Sequence, residues 1–381
     1  MFADIVGNEQ IKQAFVGMAD SGRVPHAILM EENEGCGALV LAQAFLQYLN
    51  CHHRNGGDAC GNCTSCHQHG KWIYPDVRYT FPITSGSKVS GEVKNLTCDD
   101  YAKYWRELCL ANPYFLESEL SEALGIEKKT GVIAVAEGKA ILSKLSLSAV
   151  SDGYRAVVVW LPEKMNAQTA NMLLKAIEEP AEKTLFLLIT HSPENVLQTI
   201  SSRCLHIRVL PLSREEVAEV LERRFDVAPD RAAQAAAFSG GSVGVALRLL
   251  GENGGDSQQA SLFKSLMDSI LERDYLAVLQ LGETLSGLDS REKQKAFCTF
   301  AGGCLRKVFM LQQGMDTIAG VAPEEMPDYA SWAERLDKAF CRRCLSYLGR
   351  AQMLIDRNVN QKIVFCNLVT RMFASVRPGA A

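Results

Sequence analysis

This sequence carries no surplus of positive charge. Its 40 Lys and Arg residues are outnumbered by 44 Asp and Glu, for a formal net charge of −4. Bulk electrostatic attraction to nucleic acid is thereby excluded, so any such contact has to be local or made through partners. Long apolar runs are lacking too: none approaches the ~18 residues that a membrane-spanning helix needs. The opening MFADIVGNEQ has none of the basic and apolar profile of a secretory leader. Internal repeats and low-complexity stretches are absent. The 13 cysteines, an odd number scattered over 381 residues, do not form a disulfide framework of the secreted kind. These absences point to a cytoplasmic protein with no membrane contact, of two or three domains by length.

What is present begins with four cysteines, Cys51, Cys60, Cys63 and Cys66, in the spacing C-x8-C-x2-C-x2-C. Gly61, Asn62, Thr64 and Ser65 separate the last three, and small polar residues let the backbone fold back until several sulfurs converge. Four thiolates with no open position suit a tetrahedral structural Zn²⁺ rather than a catalytic one. A second pair at short spacing, Cys341 and Cys344 in CRRC, has no partner pair nearby and is read as part of a helix.

The first third alternates short apolar runs with helical patterns. His26 to Met30 precedes a loop, Glu31 to Gly37, and an apolar helical stretch from Ala38 to Leu49. Ala156 to Leu161 and Leu185 to Thr190 are continuous apolar runs of the kind buried on both faces of a parallel sheet. Between them, Asn166 to Glu179 predicts a helix with Ala170, Leu173, Leu174 and Ile177 on one face, so the three form a βαβ unit. The stretch from about Val77 to Val132 mixes polar residues with aromatic clusters and is expected to be a partly helical insertion at the sheet edge. A Ser-x-x-Glu capping box, Ser213 to Glu216, opens the next helix. Gly251 to Asp256 is the linker candidate, and beyond it only helical periodicity remains.

The landmarks FADIVGNEQIKQAF, GRVPHAILM, the four cysteines, NMLLKAIEEP (171–180) and TISSRC (199–204) together resemble the bacterial DNA polymerase III clamp-loader AAA+ subunits. That resemblance implies an α/β AAA+ fold, a RecA-like parallel sheet with a P-loop, over residues 1–206. The zinc module (50–70) and the insertion (about 77–132) would lie within it. A small helical lid domain (207–254) and an all-α collar domain (255–381) would follow.

Departures from the family pattern are as informative as the matches. A working phosphate loop reads G-x-x-x-x-G-K-[ST], with the lysine neutralising phosphates and the hydroxyl binding Mg²⁺. Here the frame ends at Gly37 and continues with Ala38 and Leu39, while Glu32 holds the leading glycine position between Glu31 and Glu34. Gly35 and Gly37 are therefore expected to serve the fold rather than a phosphate, and three carboxylates would repel a triphosphate. The family's Asp-Glu pair falls on Trp160 and Leu161. Glu163, two residues past that register, is expected to be a surface charge, and Thr190, at the γ-phosphate-sensing position, to be vestigial. Gly244 stands where ATPase subunits carry a sensor arginine, and Arg248 one turn on is expected to be solvated.

Ser202-Arg203-Cys204 is intact, and in the family that arginine reaches the ATP of an adjacent subunit. A lost site and a kept finger resemble the delta-prime, or stator, type of subunit. The resemblance implies structural Zn²⁺, no nucleotide of its own, and assembly with gamma/tau-like ATPases and delta to act on the sliding clamp and primed DNA. Two alternatives remain at this point. An active ATPase of the same fold is opposed by Ala38, Leu39, Trp160 and Leu161. A zinc-ribbon nucleic-acid binder would use His52, His53, Arg54, His67, His69, Lys71 and Trp72.

Overall fold

Leucine-rich and β-branched runs form the centre of a five-stranded sheet in the computed structural model. The described residues are 1–376, apart from 90, 93–94, 128, 252–254, 289–290, 316–318, 320 and 322–324. The strands are β1 (Ala27–Glu31), β2 (Val77–Thr80), β3 (Arg155–Trp160), β4 (Thr184–Thr190) and β5 (Leu205–Arg208), in the order β2-β3-β4-β1-β5. Every pairing is parallel. All seven residues of β4 are buried, as expected of a central strand covered on both faces. Ala27, Leu29, Val157, Val159, Phe186 and Leu188 line one face and pack with Ile141, Leu173 and Ile177. The last two belong to the predicted helix, found over Ala167–Glu178 as α7, whose cap Asn166 accepts a hydrogen bond from the Thr169 amide at 2.7 Å. Chain order along the first part is α1 (Glu9–Asp20), α2 (Ala38–Leu49), α3 (Thr64–Gly70), α4 (Ala102–Ala111), α5 (Glu117–Leu124) and α6 (Val135–Ser146).

The stretch 77–132, expected as a partly helical insertion at the sheet edge, contains α4 and α5 and also a strand that was not expected. Its first four residues are β2, the edge strand, paired with β3 from Val77↔Ala156 to Thr80↔Val159. Arg78 hid this strand in the sequence, because a charged residue is rarely buried unless it is paired. Here its guanidinium donates to Glu137 at 2.9 and 3.0 Å and to Asp99 at 2.9 Å. The fully buried Glu137 accepts further bonds from Thr80 Oγ1 and the Cys98 amide, each at 2.8 Å, which meets the demand of a buried charge. Past β2 the aromatic residues make a core of their own. Phe81 stacks on Trp105 at 4.3 Å, and Trp105 and Phe115 both meet Trp160.

After β4 the chain forms α8 (Gln198–Ser201), β5, α9 (Arg214–Phe225), α10 (Pro229–Phe238) and α11 (Val243–Gly251). The Ser213 capping box is formed as read: Ser213 Oγ accepts from the Glu216 amide at 3.1 Å, and Glu216 accepts from the Ser213 amide at 2.8 Å. The chain divides into two compact units, Met1–Arg248 and Leu249–Ala381. The linker expected at Gly251 to Asp256 lies partly outside the described residues. Among those described, the second unit contains helices only: α12 (Gly255–Leu271), α13 (Tyr275–Ser286), α14 (Arg291–Leu311), then Met326–Arg335, Lys338–Asp356 and Gln361–Ala374. Its core includes Phe263, Ile270, Phe297, Leu305, Phe340 and Phe365, with Cys341 and Cys344 among them. The CRRC pair is therefore core. No helix among the described residues is long and apolar enough to cross a membrane.

Candidate functional site

A phosphate loop works by offering backbone amides at a helix N-terminus to an anion. In this chain the anion is built in. Glu32 is buried, and its Oε2 accepts the Ala38 amide, at the first turn of α2, at 2.8 Å. The three neighbouring carboxylates do not crowd one cavity, as the sequence suggested. Glu31 pairs with His206 of β5 at 2.7 Å, and Glu34 Oε1 accepts the amide of Glu117. Each acid has a hydrogen-bond partner of its own. Gly35 and Gly37 have φ of +76° and +105°, a conformation that favours glycine.

The end of β3 is filled by rings rather than by metal ligands. Trp160 is buried and meets His191 edge-on at 5.4 Å. Glu163 is not the surface charge expected from its position past the strand. Leu161 adopts φ +61°, and the turn Pro162–Lys164 brings Glu163 back over the end of β4. There it accepts from Thr190 Oγ1 at 2.8 Å and from the His191 amide at 3.1 Å. Thr190 is thus bonded into the turn, fully buried. His191 Nε2 lies 3.5 Å from Glu32 Oε1. Burial alone would depress its pKa, but the Glu32 carboxylate, reinforced by Glu34 and Glu163, raises it above the usual histidine value.

The lid side is closed by residues 112–117. A Cβ on Gly37 would lie 2.9 Å from the Tyr114 ring, and one on Gly35 would lie 2.7 Å from Ser242 Oγ and 3.0 Å from Leu116. Ser242 Oγ donates to the Glu34 carbonyl at 2.7 Å, and the Gly244 amide to the Gly35 carbonyl at 3.2 Å. A Cβ on Gly244 would stand 2.2 Å from the Tyr114 carbonyl oxygen, so no arginine fits at this sensor position. Arg248 is half-buried and donates to Ser118 Oγ at 3.4 Å, which corrects its reading as a solvated residue. Sequence reasoning missed Tyr114 and His191; only the position of His191 directly after Thr190 carried a signal for either.

Arg203 lies at the other end of this unit's chemistry, just before β5. Its side chain is 35% exposed, and its Nε and Nη2 both reach Glu178 Oε1 at the end of α7. Its Nη1 donates to the Thr199 carbonyl at 2.7 Å and lies 3.5 Å from Ser202 Oγ.

The four predicted cysteines come together. Their sulfurs all lie within 4.8 Å of one another, and Cys60 Sγ is 3.9 Å from Cys66 Sγ. A tetrahedron with Zn–S bonds of roughly 2.3 Å has edges of about 3.8 Å, so the donor set fits this metal. Cys63 caps α3, its sulfur 3.5 Å from the Cys66 amide, while Cys51 Sγ accepts the Cys60 amide at 3.2 Å. Such N–H···S bonds stabilise thiolates. Amides of Asn62 and Cys63 pull the Cys60 thiol down to about 6, and burial pushes Cys51 and Cys66 up. The residues that suggested a nucleic-acid surface are partly structural. His69 is fully buried and stacks on Tyr74 at 4.2 Å. Arg54 lies over the Tyr48 ring at 5.0 Å and donates to the Leu49 carbonyl at 2.8 Å.

A family model described as "DNA polymerase III, delta subunit" matches residues 7–213, more than half of the chain. A DNA polymerase III subunit delta' from Escherichia coli (strain K12) is 27% identical over 376 residues, covering 96% of this chain and 94% of that one. The Pseudomonas aeruginosa subunit delta' is 27% identical over 285 residues, 74% of this chain and 72% of its own length. A gamma/tau subunit from Mycobacterium tuberculosis (strain ATCC 25618 / H37Rv) is 24% identical over 233 residues, 60% of this chain and 32% of its own. With an AAA+ sheet unit, a helical unit and this match, the chain belongs to the delta-prime family of DNA polymerase III clamp-loader subunits.

Proposed function

We propose that this protein is the non-ATPase stator of a replicative clamp loader. It assembles with gamma/tau-like ATPase subunits and with delta, and it acts on the sliding clamp and primed DNA through that complex. It binds no nucleotide of its own. The observation that carries this reading is the Glu32 carboxylate on the Ala38 amide, where a phosphate would have to sit. A triphosphate would need to displace that carboxylate without a P-loop lysine to offset the loss. It would also need to displace Tyr114 from Gly37. Cys51, Cys60, Cys63 and Cys66 hold a structural Zn²⁺ that fixes the turn between α2 and α3; the metal stabilises the fold and takes no part in a reaction.

The active chemistry proposed is trans-activation by Arg203. A guanidinium is always charged and presents a planar fork to phosphate oxygens, and it stabilises the charge that develops as the γ-phosphoryl group leaves. Its partial exposure supports a role toward a neighbour rather than toward its own sheet. The similarity to a gamma/tau subunit keeps an ATPase reading in view. It is opposed by Ala38, Leu39, Trp160 and Leu161, which supply neither phosphate charge nor Mg²⁺ ligands.

The test is Arg203→Ala in the assembled loader. Folding, zinc content and assembly should be retained, while DNA-stimulated ATP turnover falls. Arginine fingers are worth roughly 10³–10⁵ at a single site, and the whole-complex loss should be smaller because other sites take arginines from other subunits. Arg203→Lys should rescue only in part, since an ammonium lacks the bidentate fork. Turnover equal to that of the unmodified loader would overturn trans-activation by this residue.

A further inference from the structure

Glu178 is the last residue of α7, a poor place for a carboxylate. The C-terminal end of a helix carries partial negative charge, so an acid there is disfavoured by the helix itself. Its ion pair with Arg203 does not compensate through stability. With side chains 43% and 35% exposed, the pair is of the surface kind that contributes little. What the pair does fix is direction. One Glu178 oxygen takes both Nε and Nη2 of Arg203, while the Thr199 carbonyl in α8 takes Nη1 at 2.7 Å. The guanidinium plane is thus held from two elements, along its Nε–Nη2 edge and at one end. The pairing leaves the outer Nη2–H pointing away from Glu178.

We propose that Glu178 is a positioning residue for Arg203, holding the guanidinium plane so that its outer Nη2–H meets a γ-phosphate oxygen of a nucleoside triphosphate on the adjacent subunit. The inference rests on the trans-activation reading above. Arginine is a long side chain with many rotamers to lose on ordering, and a misplacement of about 1 Å costs roughly 10²-fold in rate. A carboxylate that orders the side chain before the neighbour's nucleotide arrives removes part of that cost. Because the guanidinium cannot lose its proton, the pairing orients the charge without abolishing it.

The experiment assembles the full-length chain, unmodified or carrying Glu178→Ala, Glu178→Gln, Arg203→Ala, or Glu178→Ala with Arg203→Ala, with the same ATPase subunits on primed DNA. Zinc content and assembly are verified first. Both Glu178 variants should lower kcat at unchanged KM for ATP, by at least about half of the Arg203→Ala loss on a logarithmic scale. On the Arg203→Ala background, Glu178→Ala should add nothing, because two residues acting as one unit are not additive. A merely structural glutamate would lower stability and activity additively on both backgrounds, and that result would overturn the proposal. Unchanged or raised kcat in the Glu178 variants, with Arg203→Ala still impaired, would overturn it while leaving trans-activation in place. No effect of Arg203→Ala itself would remove the reading on which both depend.

Discussion

At the scale of single residues, the loop between β1 and α2 is held by acids that each have a local partner. Glu32 occupies the α2 terminus, and His191 stands against it at 3.5 Å. Since folding raises the His191 pKa above its ordinary 6.5, the protonated form is favoured in the folded state. The pair's contribution to stability is therefore complete below about pH 6.5 and is lost as the pH rises through the raised value. His191→Gln should cost more stability at pH 6 than at pH 9, by about 1–2 kcal/mol, the scale of a buried charge-assisted contact. Chemical denaturation at both pH values measures this, and equal losses would show that His191 is neutral in the folded protein. Glu163 and Thr190 belong to the same network through the 2.8 Å bond between them.

At the scale of elements, the loop 32–37, the segment 112–117 and the start of α11 are interlocked. Gly244 is the tightest point, with the Tyr114 carbonyl 2.2 Å from where its Cβ would be. Restoring the sensor arginine by Gly244→Arg should thus destabilise the protein by about 2–4 kcal/mol, as overpacking with backbone displacement does, and confer no ATP binding. Thermal unfolding checks the first outcome; an unchanged Tm would mean that the segment 112–117 yields easily. Elements whose signals are local were legible in the sequence: α2 at Ala38–Leu49, the Ser213 cap, the helix α7, β3, β4 and the four cysteines. Elements whose stability is set at a distance were not. The burial of Arg78 in β2 depends on Glu137, 59 residues later, and β5, with Leu205, His206 and Arg208 exposed, has no apolar run to mark it. Likewise, Ala38 and Leu39 after Gly37 were visible in the sequence, but the contact of the Glu32 carboxylate with the Ala38 amide was seen only once α2 and Glu32 were in place. The four-cysteine module is an element of another kind, tied to the rest of the unit by Gln47, whose Nε2 lies 3.4 Å from the Cys66 carbonyl, and by Asp58, which accepts the Phe2 and Ala3 amides. About one Zn²⁺ per chain is expected, and Cys63→Ser should lose it and lower Tm by roughly 10 °C, since a closed thiolate site contributes folding free energy directly. Protein purified without chelator but free of stoichiometric metal would refute the assignment.

At the scale of the whole molecule, the sheet unit closes the loop 32–37 with its own side chains and carries a partly exposed arginine, Arg203. The proposed stator reading joins these two observations: the protein acts on nucleotide bound by a neighbouring subunit and binds none of its own. The most direct test of that claim is calorimetric titration of Mg-ATP into the full-length, zinc-loaded chain in the absence of other subunits. No saturable heat at micromolar concentrations is predicted, because the Glu32 carboxylate and Tyr114 already fill the cleft and no lysine offsets their displacement. Stoichiometric binding with a micromolar Kd would contradict the account and place this chain among the ATP-binding subunits.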